Sequence, residues 1–291
     1  MKRCYVQKNF RNATLDLIDQ ANKIIETYQE QGFNLTLRQV YYQFVSRGYI
    51  PNKQASYNKL GSVINDARLA GMIDWSAIED RTRYLRNLAH WDSPVDIVEA
   101  AVQSYRTDKW ETQPVHPEVW IEKDALIDIV AQACKPMDVP HFSCRGYISQ
   151  TAMYNAARRL RRYGRSIIFH FGDHDPSGID MTRDIEDRLN IFGVYPDVIR
   201  VALNMDQVEE FNPPPNPAKQ TDSRYESYIA EYGDESWELD ALEPSMLKEL
   251  ISEHLVEQRN DELWDEACSK EAEEKDLLRE AAEDIKEKLD V

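Results

Sequence analysis

SIIFHFGDHDPSG (Ser166–Gly178) decides the fold class. Its first six residues form a nearly continuous apolar and aromatic run, the pattern of a strand covered on both faces rather than one. A lone Gly172 then turns the chain into a D-x-D pair, Asp173 and Asp175, within the loop GDHDPSG, and a helix is predicted over Ile179–Phe192. Working outward, Val198–Leu203 (VIRVAL) reads as the next strand and Gln150–Tyr163 as the preceding helix. Further upstream lie a strand at Val139–Phe142, a helix at Asp124–Cys134 and a strand at Val119–Ile121. Strands alternating with helices at this spacing predict a parallel α/β sheet with helices on both faces. Residues 211–220 (FNPPPNPAKQ) read as irregular, because proline removes a backbone donor and fixes φ. Residues 244–290 read as helical and acidic.

The first third has a different character. Apolar residues at three- and four-residue spacing predict helices over 12–31, Thr36–Arg47 and Ser56–Ala70. The arginine-rich stretch Met72–Arg86 that follows has extended and turn-like pieces. Three short helices and a basic extended segment are the order of a winged-helix DNA-binding domain. The expected fold class is therefore multi-domain α/β, with domains at 1–110 and 111–291, which suits a length of 291 residues.

Charge is divided along the chain. Residues 1–110 carry 15 Lys+Arg against 12 Asp+Glu, residues 111–170 carry 8 against 6, and residues 171–291 carry 12 against 34. Phosphate affinity follows local cation density, so the first 170 residues suit DNA despite a whole-chain charge of -17. Mean hydropathy is -0.63 and no apolar run reaches membrane-spanning length, so no membrane partner is expected. The N-terminus MKRCYVQKNFRN has no apolar h-region, and Cys4, Cys134, Cys144 and Cys268 have neither zinc nor disulfide-framework spacing. The expectation is a cytoplasmic, nucleoid-associated protein.

Ligands of open parallel sheets gather at the carboxyl ends of the strands. Glu122 follows one strand directly, and Asp173 and Asp175 follow another after a single glycine. Carboxylates so grouped suit a hard cation such as Mg²⁺, with Mn²⁺ as a substitute, and Glu122 is either a ligand or a general acid/base. The two aspartates equally suit a helix cap. In the second predicted helix Tyr41 lies on the apolar stripe, whereas Tyr42 lies about 100° round from it. Arg38 is one turn before Tyr42 on the same face, placed to favour a phenolate or to bind a phosphate. Without the acidic half, Tyr42 reads as an exposed helical tyrosine. Lys123 either touches phosphate or pairs with Asp124, and His174 orients the loop or faces water. Arg68, Arg81, Arg83, Arg86 and Lys219 are further candidate DNA contacts. The basic helix holding Arg158, Arg159, Arg161, Arg162 and Arg165 reads as a solvated or DNA-facing surface.

The pairing of Glu122 with Asp173 and Asp175 resembles the Toprim fold, the metal-binding domain shared by topoisomerases, primases and some nucleases. TLRQVYYQF (Thr36–Phe44) resembles the tyrosine-bearing helix of the winged-helix (CAP-like) domain in topoisomerase VI A subunits and the related meiotic double-strand-break proteins. NDARLAG (Asn65–Gly71), the GDHDPSG loop and WELDAL (Trp237–Leu242) are similar to further segments of that family, over roughly residues 34–255. The resemblance implies a homodimer that cleaves double-stranded DNA, in which the tyrosine of one protomer attacks near the metal site of the other. Tyr42 would be the nucleophile, forming a 5′-phosphotyrosyl bond, with Arg38 assisting. Asp173 and Asp175 would hold Mg²⁺, with Glu122 as ligand or proton shuttle. Only about 35 residues precede the tyrosine helix, and neither GxxxxGK[ST] nor GxGxxG is present, so no ATP site is expected. The chain is most similar to the short Mini-A type that acts without an ATPase B subunit. Two other readings stay open: a hydrolytic winged-helix/Toprim nuclease, similar to the nuclease subunit of Wadjet defence systems, and a non-catalytic DNA-binding protein.

Overall fold

The computed structural model describes residues 2–79 and 88–288. Helix α1 (Asn12–Glu30) buries Ile18, Ala21, Ile24, Ile25 and Tyr28 along one face. Strand β1 (Leu35–Thr36) leads straight into α2 (Leu37–Ser46). A reciprocal capping box starts that helix: the Thr36 side chain accepts from the Gln39 N–H, and the Gln39 side chain accepts from the Thr36 N–H. Helix α3 (Gln54–Leu69) packs against α1 through Leu60, Ile64 and Ala67. Just beyond it Gly71 has φ +74°, and a Cβ there would meet the Cys4 backbone nitrogen at 2.6 Å, so the turn requires glycine. After a 3-10 turn at Trp75–Ala77, β2 (Ile78–Glu79) pairs in parallel with β1.

Helix α4 (Pro94–Ser104) begins with a Ser93–Asp96 capping box and Pro94 in the first turn. It lies against the C-terminal helix, and sequence periodicity did not find it. The central sheet comprises β3 (His116–Ile121), β4 (His141–Ser143), β5 (Ser166–Phe171) and β6 (Asp197–Ala202). All are parallel, in the order β4-β3-β5-β6. Helices α5 (Ile127–Cys134), α6 (Gln150–Leu160) and α7 (Pro176–Ile191) connect them.

The two faces of the sheet enter different cores. Val119, Ile121, Phe169 and Phe171 pack with α5, α10 (Pro244–Gln258) and the N-terminal helices, whereas Trp120 and Ile168 pack with α6 and α7. Alternate residues along a strand point to opposite faces, so a strand covered on both sides must be apolar throughout. The predicted α/β class with a parallel sheet is what the chain adopts. Strand β3 connects through α5 on one face and β5 through α7 on the other, so their carboxyl ends flank the crevice where the winding reverses.

The remainder is α8 (Met205–Phe211), β7 (Asn216–Pro217), α9 (Tyr225–Tyr232), β8 (Glu235–Ser236), a 3-10 turn at Leu239–Ala241, α10 and α11 (Asp261–Lys288). The proline-rich stretch departs from expectation: Asn216–Pro217 pairs antiparallel with Glu235–Ser236. A two-residue ladder tolerates the missing proline donor, and Ala218 supplies the next bond, its N–H donating to the Asp234 carbonyl at 2.8 Å. No described helix is long and apolar enough to cross a membrane.

Candidate active site

The loops that end β3 and β5 bring two predicted acidic residues together. Glu122 Oε2 accepts from the Asp173 backbone N–H at 2.9 Å. Gly172 permits this approach, because a Cβ there would meet Glu122 Oε2 and Arg200 Nη1 at 3.2 Å each. Asp173 is buried; its Oδ1 accepts from the Leu239 N–H at 2.9 Å, and its Oδ2 lies 2.5 Å from Lys123 Nζ. Lys123 also stands 3.8 Å from Glu238 Oε2.

Glu238 and Asp240 receive α2. Arg38 Nε donates to Asp240 Oδ2 at 2.7 Å, its Nη2 donates to Glu238, and the same nitrogen reaches the Tyr42 hydroxyl at 3.3 Å. The guanidinium carbon sits 5.5 Å from the Tyr42 ring centroid. A continuous polar path therefore runs Tyr42–Arg38–Glu238–Lys123–Asp173–Glu122, joining the first and second halves of the chain.

Tyr42 is not the exposed tyrosine that helical geometry alone predicts: it is only 4% exposed. The 3-10 turn at Leu239–Ala241 covers the second face of α2, which the apolar pattern of that helix did not announce. Burial, then Asp240 and Glu238, raise the Tyr42 pKa, and Arg38 opposes them without prevailing. The guanidinium is paired with two carboxylates, so its pull toward a phenolate is outweighed. Glu122 is pushed up to about 7, first by burial and then by the charge of Asp173, while Lys123 pulls it down. Asp240 rises to about 7, mainly through burial, against the pull of Arg38. On Lys123 burial is overcome by Asp173, Asp240 and Glu122, which hold the ammonium charged.

Arg200 fixes the D-x-D loop from β6. Its guanidinium donates to the carbonyls of Asp173 (2.6 Å), Gly178 (2.8 Å), Leu203 (3.0 Å) and Gly172 (3.1 Å). Burial lowers its pKa to about 10, so it stays charged. Asp175 is the N-cap of α7, its Oδ1 accepting from the Gly178 N–H at 2.6 Å and the Ser177 hydroxyl at 3.0 Å. His174 Nδ1 faces the Tyr228 hydroxyl at 2.8 Å, and its backbone pairs with Trp237, so the imidazole orients the loop. Burial holds it neutral, with a pKa of about 4.

The other candidates are dispersed. Lys123 pairs with Asp173 rather than with Asp124, whose partner is Arg145 at 3.0 Å. Arg68 is engaged internally, donating to the Trp75 carbonyl at 2.7 Å and lying over its ring. Lys219 is exposed at the end of the proline-rich stretch. Arg81, Arg83 and Arg86 lie outside the described residues. Of the basic helix, Arg159 forks onto the buried Glu118 at 2.7 and 2.8 Å, and Arg165 pairs with Asp197. Glu238, Asp240 and Arg200 were not singled out from sequence. A lone arginine inside VIRVAL was the available signal for one, and the acidic pair of WELDAL for the others.

Among the described residues no three His, Cys, Asp or Glu side chains are gathered closely enough to hold an ion as they stand. Asp175 is turned to its cap, and the Lys123 ammonium occupies Asp173. The donor set is nonetheless all oxygen, as Mg²⁺ prefers, and the buried Asp240 Oδ1 has no hydrogen-bond partner. Glu122 and Asp173 are of the ligand type a hard divalent cation takes, and Lys123 stands at Asp173 in its place. No protein-family model and no curated protein matches this chain.

Proposed function

We propose that the chain cleaves double-stranded DNA by Mg²⁺-dependent tyrosine transesterification, as a winged-helix domain joined to a Toprim domain in the manner of topoisomerase VI A subunits. The observation that carries this reading is the single polar path from Tyr42 and Arg38 to Asp173 and Glu122. Two signatures 80 or more residues apart in sequence meet in one site. Mg²⁺ held by Glu122 and Asp173 would supply charge neutralisation at the scissile phosphate. Arg38, with 45% of its side chain exposed, is positioned to bind a phosphate oxygen. The Tyr42 oxygen attacks phosphorus as its proton passes to the Glu238 carboxylate that it hydrogen-bonds, the bond to the 3′ oxygen breaks, and that leaving oxygen takes a proton from solvent, or from Glu122 where Asp173 holds the ion without it. The product is a 5′-phosphotyrosyl bond. A homodimer, cytoplasmic and associated with the nucleoid, would break both strands by two such events.

Hydrolysis by a metal-activated water is the second reading, and the burial of Tyr42 with its raised pKa favours it. Tyr42→Phe separates the two: the first reading expects loss of all cleavage, and cleavage at the wild-type rate would leave only the hydrolytic one. Asp173→Ala is expected to abolish cleavage under either reading while leaving DNA binding in place.

A further inference from the structure

We propose that the amino end of the central sheet carries a binding surface for single-stranded nucleic acid, separate from the Glu122–Asp173 end. This surface is independent of the cleavage chemistry, which uses only the carboxyl end.

Charge is concentrated there. Residues 158–165 (RRLRRYGR) hold five arginines in eight positions, and no Asp or Glu occurs from 149 to 166, in a chain of net charge -17. Arg159 is consumed internally by its fork onto the buried Glu118. Arg161 donates to the Phe192 carbonyl and stays exposed. Arg165 pairs with Asp197 at 2.8 Å, but the two side chains are 67% and 50% exposed, so the pair is weak and a phosphate can replace the carboxylate. Arg158 and Arg162 are exposed and pair with no carboxylate among the described residues. Four guanidiniums are thus open to a polyanion.

Shape and aromatic rings narrow the occupant. Two open cavities, of about 410 and 340 Å³, flank the turn at Tyr163–Arg165. Arg162 and Arg165 line the first, and Arg161 and Arg165 line the second. Tyr163 is a fixed wall between them: its ring stacks on the buried His116 with centroids 3.5 Å apart, and its hydroxyl donates to Asp108 at 3.1 Å. Asp108 and Glu111 also line the first cavity, so the second is the better seat for a strand. There Tyr195, in the turn from α7 to β6, is 77% exposed. A ring left in water beside free guanidiniums is what an unpaired base stacks on, whereas a duplex keeps its base faces buried and offers none. Phosphates then lie along Arg158, Arg161, Arg162 and Arg165 while a base rests on Tyr195.

Ser166 and Asp197 begin β5 and β6, and the D-x-D loop follows the other end of β5. Six residues of strand place the two ends about 20 Å apart, so a strand held here leaves the acidic end free.

Fluorescence anisotropy in EDTA, with dye-labelled oligothymidylate and oligouridylate of about 16 nucleotides and a hairpin duplex of equal length, tests the surface. At least one single strand is expected to bind, with a log–log salt slope of about -2, as roughly three neutralised phosphates require. Combining Arg158→Glu with Arg162→Glu should weaken that binding about tenfold or more without changing Tm. Should the glutamates lower Tm, Arg158→Gln with Arg162→Gln adds no repulsion and is expected to weaken binding in the same direction. Tyr195→Ala should weaken single-strand binding about fivefold or more and leave duplex binding unchanged. Irradiating a strand that carries 5-iodouracil should attach it to the peptide containing Tyr195. Failure of both strands to bind, wild-type affinity in the arginine and Tyr195 variants, an equal loss on the duplex in Tyr195→Ala, or attachment only elsewhere in the chain would each overturn the proposal.

Discussion

The side chains around Asp173 are tied down by the chain's own cations, and the proposed metal would have to enter against them. Lys123 Nζ stands 2.5 Å from the carboxylate that a divalent ion would use, and Arg38 neutralises Glu238 and Asp240 beside Tyr42. An arriving ion must displace the ammonium, so Lys123→Met is expected to tighten Mg²⁺ or Mn²⁺ binding about tenfold, ~1.4 kcal/mol, by calorimetric titration. Unchanged or weaker binding would show that Lys123 does not compete. The buried acids also set a pH dependence for the metal-free protein. Glu122 and Asp240, raised to about 7, bind protons more tightly folded than unfolded, so stability rises as pH falls from 8. His170 and His174, lowered to about 3 and 4 chiefly by burial, are neutral when folded and oppose this once pH falls below the ordinary imidazole value. Tm is expected to peak at about pH 6 to 7, and Asp240→Asn should flatten the fall between pH 7 and 8. A Tm that climbs through that interval would contradict these assignments. At this scale the sequence singled out Tyr42, Arg38, Glu122 and Asp173 by motif spacing, and the fold brings them onto one polar path. It did not reveal Glu238 and Asp240, since nothing local shows that a loop some 200 residues away will cover α2.

Among the elements, the loop from β5 to α7 starts its helix with Asp175, which caps α7 through Oδ1 and, under the cleavage proposed above, would join Glu122 and Asp173 at the cation through its second oxygen. Asp175→Ala should cost about 1 kcal/mol in chemical denaturation, the usual loss of a helix cap. Asp175→Asn keeps an acceptor and should preserve stability, but it should lose most Mg²⁺-dependent cleavage. An Asp175→Asn protein that cleaves normally would reduce Asp175 to a cap. The parallel strands β3 and β5 were legible because strands covered on both faces are largely apolar, and β6 because its apolar run VIRVAL follows at α/β spacing although its first half is partly exposed. Helices α4 and α8 were not: their starts are written in capping boxes, Ser93–Asp96 and Asn204–Gln207, and each buries only one or two residues rather than a long apolar stripe. The D-x-D pair was legible as both cap and ligand, and the structure shows the cap for Asp175 alone.

Across the whole molecule, charge is segregated. The first 170 residues carry 23 Lys+Arg against 18 Asp+Glu, and the last 121 carry 12 against 34. Some of that basic character is spent internally, with Arg68 on the Trp75 carbonyl, Arg159 on Glu118 and Lys109 on Glu271 of α11. Under the proposed DNA cleavage, what stays at the surface would have to bind phosphate against a strongly negative second half. DNA affinity is therefore expected to fall about tenfold or more between 50 and 200 mM salt, measured by fluorescence anisotropy, and an unchanged Kd would count against a phosphate-lined surface. The joining of Tyr42 to the acidic sheet end is the feature on which the functional reading depends, and one measurement addresses it directly. Purified protein is incubated with supercoiled plasmid and Mg²⁺ without ATP, stopped with detergent and run with and without protease. Linear or nicked DNA that enters the gel only after protease treatment is expected, because Tyr42 remains bonded to the 5′ phosphate. Cut DNA that migrates freely without protease would contradict covalent cleavage.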